Sequence, residues 1–113
     1  MTTAYVLMEP RKNNEERVYA VFEDLEEAKE SARNLRKKFE DKGWESWANR
    51  VSLRIPSPQL ARELANKLID EGNTIDMMNQ GRTFRGDSQV IAVGSMEAKY
   101  HWAGLLRKHA KSA

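Results

Sequence analysis

Two histidines, 17 carboxylates and no cysteine are the groups with which this 113-residue chain could do chemistry. The histidines, His101 and His109, fall near the C-terminus. Glu97 and His101 stand four apart, so on a helix they share a face and could supply two metal ligands. A catalytic zinc needs three protein ligands, and no third His or acid stands at helical spacing from this pair. Without cysteine there is no thiolate nucleophile, no disulfide framework and no cysteine-type zinc site. No Gly-rich phosphate loop follows a strand pattern, and no Gly-x-Ser-x-Gly turn occurs. The carboxylates mostly alternate with bases, which solubility explains. The chain is therefore read as non-enzymatic, with no cofactor and no metal. The enzymatic alternative is a small enzyme with an unrecognised carboxylate site.

Residue types suited to contact are better represented. Aromatic and arginine side chains dominate binding hot spots. Trp44 follows Gly43 in a turn and is hard to bury, whereas Trp47 reads as an inward residue of a strand. Residues 80–88, QGRTFRGDS, form a nine-residue connection, long for a hairpin. In it Arg82 and Arg85 could grip carboxylate or phosphate on either side of an apolar Phe84. Arg85, Gly86 and Asp87 match the integrin-binding tripeptide, but Gly-Asp is also ordinary turn chemistry. Arg50 and Arg54 alternate on one side of residues 46–55 and would mark a basic sheet face, with Arg17 and Tyr19 as neighbours. That face resembles an RNA-recognition surface in outline only, because the aromatic strand motif of such surfaces is missing. Net charge is +2. Residues 77–113 hold six Lys or Arg against Asp87 and Glu97, a local +4, leaving −2 on the rest.

The elements that must position these residues follow from periodicity. Residues 3–8 and 17–22 are β-rich runs around the polar loop PRKNNEE. Leu25, Ala28, Ala32, Leu35 and Phe39 make a helical stripe, with Asp24 as N-cap and Gly43 at the C-terminal left-handed position. Arg36 falls on the solvated side of that helix. Residues 46–55 alternate, so they are expected as a strand with Trp47, Val51, Leu53 and Ile55 inward. Ser57 and Pro58 open a second helix whose buried arc is Leu60, Leu64 and Leu68, flanked by Ala61, Ala65 and Ile69. Strands are expected at 74–79 and 89–94, then a last helix from Ser95 to about Lys111. Its apolar positions, Trp102 and Leu105 among them, cover more of the circumference than one sheet face requires. Either it is wedged between layers or it offers a face to a partner.

The expected fold is a single α+β domain, a two-layer sandwich of order ββαβαββα. A mostly antiparallel sheet of about five strands carries three helices on one face. The function read first is a protein-binding module, an adaptor or small inhibitor or regulator, with a homodimer through the C-terminal helix as one form of it. Its contact residues are Arg82, Phe84, Arg85, Trp44, Trp102, Leu105, Arg50 and Arg54. The second reading is a nucleic-acid-binding domain using the basic sheet face and hairpin tips. No apolar run reaches the roughly 20 residues of a membrane span. The opening MTTAYVLMEPRK lacks signal-peptide order, so a cytoplasmic location is expected.

Overall fold

The computed structural model describes residues 2–70, 83–86, 89–92 and 96–112, with side chains for all but 83–86, 89–92 and Met96. It opens on an antiparallel hairpin of β1 (Tyr5–Pro10) and β2 (Glu16–Phe22). A short 3-10 turn over Lys12–Asn14 reverses the chain, with Asn13 and Asn14 at φ 62° and 61°. Asparagine tolerates this left-handed region better than most residues. The Arg11 amide donates to the Glu15 carbonyl at 2.7 Å and closes the loop. Leu7 faces Ala20 while Met8 faces Val18, so Tyr19 is the extra residue of a β-bulge. It is buried, and the aromatic expected on an open sheet face is instead part of the core.

Helix α1 (Leu25–Asp41) starts as its sequence predicts, with the Asp24 carboxylate accepting from the Glu27 amide at 3.0 Å. Ala28, Ala32, Leu35 and Phe39 are buried along one stripe. Arg36 is a correction: it is half-buried and donates to the Val51 carbonyl at 3.3 Å. Residues 46–55 are not one strand. Glu45–Ala48 forms a short helix, α2, and only Ser52–Arg54 forms β3. Trp44, Trp47, Ala48 and Val51 lie at i, i+3, i+4 and i+7, so the apolar residues fit a helical period as well as an alternating one. The helical hydrogen bonds Ala48 N–H to Trp44 and Asn49 N–H to Glu45, both 3.0 Å, decide between them. Ile55 consequently leaves the sheet and is 64% exposed.

β3 pairs antiparallel with β1, giving a three-stranded sheet of order β2-β1-β3. Five strands in one sheet were expected; β4 (Thr83–Gly86) and β5 (Gln89–Ala92) instead pair antiparallel with each other as a separate unit, with β5 beside α4. The strand expected at 74–79 lies outside the described residues. The nine-residue loop at 80–88 is also corrected, because four of its residues form β4 and pair with β5 across a two-residue spacing typical of hairpins.

Every residue from Val6 to Pro10 is buried, which a sheet covered on one face cannot achieve. Val6, Met8, Glu16 and Arg54 line a groove with Leu60, Leu64 and Lys67 of α3 (Pro58–Asp70). Leu7 projects the opposite way from Val6 and Met8, and α1 rests on β1, β2 and β3. The helices thus cover both faces: α1 on one, α3 with α4 (Met96–Ser112) on the other. In α3 the Ser57 hydroxyl caps the Leu60 amide at 3.2 Å. Its buried residues are Ala61, Ala65 and Leu68, while Leu60 and Leu64 are only half-buried. The arc turns toward the alanines because α3 and α4 pack along small residues, Ala61 and Ala65 against an α4 that buries Ala98, Ala103 and Ala110. Small side chains bring helix axes close.

The over-wide apolar arc of α4 has the same origin. Packed against α3 on one side and β2 on another, it buries Trp102, Leu105 and Leu106. His109 fastens it to two distant segments: Nδ1 accepts from the Ala4 amide at 3.0 Å and Nε2 lies 2.6 Å from the Pro56 carbonyl. An accepting Nδ1 requires the hydrogen on Nε2, which donates to Pro56. His109 is therefore a three-way structural tie.

Candidate functional site

The C-terminus of α1 builds an exposed aromatic cluster. The Gly43 amide donates to the Glu40 carbonyl and the Trp44 amide to that of Phe39, each at 2.9 Å, with Gly43 at φ 78°. This is the Schellman ending, in which an apolar residue after the glycine packs back on the last turn. Here that residue is Trp44, whose ring stacks on Phe39 with centroids 6.2 Å apart. Trp47 from α2 meets Phe39 edge-on at 5.8 Å and Trp44 at 5.7 Å. Phe39 is buried, while Trp44 stays 45% exposed.

Two cations flank the cluster. The Lys42 ammonium stands 5.0 Å from the Trp44 ring centre, and the Arg50 guanidinium 5.9 Å from that of Trp47. Arg50 Nη2 also donates to the Arg11 carbonyl at 3.1 Å and the Glu15 carbonyl at 2.8 Å, tying α2's exit to the β1–β2 loop. The result is a rigid aromatic surface with a basic rim, suited to burying an apolar group beside an anionic one.

Of the residues singled out from sequence, this surface brings together Trp44 and Arg50. Arg54 is elsewhere, on the sheet face toward α3, where it pairs with Glu16 at 2.7 Å. The open basic sheet face is therefore absent: both faces are covered, Arg50 serves the loop and Arg54 is neutralised. Trp102 is 1% exposed and Leu105 is buried, so neither is a surface contact residue of this chain. Trp102 and Leu105 are thus not the exposed apolar face expected on α4. Phe84 and Arg85 lie in β4 opposite Ile91 and Val90, and Arg82 lies outside the described residues. Among the described residues no group of three His, Asp or Glu side chains converges as a metal site. Glu97 is exposed and His101 half-exposed.

Several polar groups escaped the sequence reading. Glu9 is buried and pairs with Arg17, its cross-strand partner. Lys99 is 1% exposed, and burial pushes its ammonium below the ordinary lysine value. Its signal was available, since Lys99 stands three before Trp102 and four before Ala103, inside the apolar arc of α4. A groove of about 150 Å³ runs between the sheet and α3, floored by Val6, Met8, Leu60 and Leu64. Lys42 was missed because its value depends on where the α1 cap places Trp44.

No protein-family model, curated protein or solved structure matches the chain. The class that the fold defines is a small α+β protein with a three-stranded antiparallel sheet and four helices among its described residues. No described helix is long and apolar enough to cross a membrane.

Proposed function

We propose that this chain is a non-enzymatic protein-binding module whose contact surface centres on Trp44. The observation that carries this reading is a tryptophan left 45% exposed although its ring is already held in place by Phe39 and Trp47. A large apolar ring fixed before binding loses little conformational freedom on contact. Lys42 on the ring, with Lys38 one turn earlier on the same flank of α1, suits a partner surface that presents an apolar side chain beside carboxylates.

The test is affinity capture from native lysate, with and without nuclease, using the native chain, Trp44→Ala and Ile55→Ala. A nuclease-resistant protein is expected with the native chain and with Ile55→Ala, another exposed apolar residue. Trp44→Ala should weaken its binding at least tenfold, roughly 1.4 kcal/mol. Capture that survives Trp44→Ala, or that vanishes with nuclease, overturns the reading.

A further inference from the structure

A cleft of about 230 Å³ lies between α3 and α4, lined by Arg62, Asn66, Arg107, Ala110 and Lys111. Arg62 and Asn66 are one turn apart on α3, and Arg107 and Lys111 one turn apart on α4, so two pairs of donors face each other across the cleft. No carboxylate lines it, and among the described residues none of the three cations makes an ion pair. Three arginines elsewhere are matched: Arg17 with Glu9, Arg54 with Glu16, Arg50 with two carbonyls. Three like charges brought together without a counter-charge repel one another, and a bound anion relieves that repulsion.

Gly104 lies outside the residues that line the cleft. It stands three residues before Arg107 and seven before Lys111, on the same flank of α4. A Cβ at Gly104 would meet no atom within 4 Å, so packing does not require glycine there. Glycine in a helix interior is less stable than alanine. It leaves bare helix surface one turn from Arg107.

We propose that this cleft binds the phosphate group of a small phosphorylated anion. Guanidinium forks match phosphate oxygens in bidentate fashion, lysine adds a point charge and the Asn66 amide a further donor. The four polar side chains that line the cleft are exposed, so a phosphate can reach them from solvent. The site is separate from the Trp44 surface, since α1 and α2 lie across the sheet from α3 and α4, and it does not depend on that reading.

The test is calorimetric titration of the full chain with inorganic pyrophosphate at fixed ionic strength. The native chain is expected to bind, and the double variant Arg62→Gln/Arg107→Gln at least tenfold more weakly. Gly104→Leu should also weaken binding while leaving the charge unchanged. Arg33→Gln/Lys37→Gln on α1 removes the same charge far from the cleft and should leave binding as it was. Melting curves of each variant without ligand establish that it folds, and if Gly104→Leu does not, the arginine pair carries the test alone. Absence of pyrophosphate binding, or equal loss in the α1 control, overturns the site. A single-stranded oligonucleotide or a Glu-rich peptide that binds more tightly than pyrophosphate overturns the assignment to a small phosphate ligand.

Discussion

At Lys99 a charge sits where the chain is otherwise apolar, between Trp102 and Ala103 on α4, and 1% of it reaches solvent. Burial disfavours the ammonium, so the folded state gives up this proton at lower pH than the unfolded chain, whose value is near 10.5. Between the two values the unfolded state binds more protons, and stability from this residue rises with pH. Below the folded value both states are charged and the burial cost is present in full. Relative to Lys99→Met, the native chain should therefore gain stability as pH climbs from neutral toward 10.5. Urea midpoints of the two proteins over that range provide the measurement, and parallel curves would refute the assignment. His109 is a second buried polar group of α4, a ring that meets both its hydrogen-bonding needs inside the core.

The helices end and continue according to local rules, and two glycines show both sides of this. Gly43 at φ 78° closes α1 and delivers Trp44 onto Phe39. Alanine there must adopt a left-handed backbone, at about 1–2 kcal/mol. Gly104, in the interior of α4 with open space around it, has no such requirement. Gly104→Ala should stabilise the chain by about 0.5–1 kcal/mol and Gly43→Ala should destabilise it. Urea denaturation of the two variants checks the signs, and a loss of stability in Gly104→Ala would mean that α4 needs its bare surface for packing.

For the molecule as a whole, covering both sheet faces sets what is left for binding. α4 uses its wide apolar arc internally, so Leu105→Glu should act on folding. A buried, unpaired carboxylate at this position is expected to cost about 4 kcal/mol or more, a large part of the stability of a domain this size. Circular dichroism with size-exclusion chromatography distinguishes the outcomes. An unfolded variant fits this packing, whereas a folded one that changes only its oligomeric state would return α4 to the surface. Among the described residues, the surfaces left open include the Trp44 cluster on one side and the Arg62–Arg107–Lys111 cleft on the other.

The elements whose signals are local can be read from the residues alone. The α1 stripe with its Asp24 cap, the Gly43 stop, the Ser57–Pro58 start of α3 and the β1–β2 hairpin are legible because each rests on contacts within a few residues. The excess of apolar surface on α4 was legible too, though not its destination. The other features depend on contacts between segments far apart in the chain. Residues 44–51 satisfy both a strand and a helix pattern, and only Phe39, Trp44 and Trp47 meeting in space, with the helical hydrogen bonds that continue from Trp44, select the helix. Arc directions on α3 depend on how closely α4 approaches its alanines. Whether an arginine is free or matched depends on partners 35 to 39 residues away, as for Arg50 with Glu15 and Arg11 and, at 38, Arg54 with Glu16. The basic cleft joins residues 62 and 66 to residues 107 and 111, positions that periodicity along the chain does not relate, because only the packing of two helices sets them side by side.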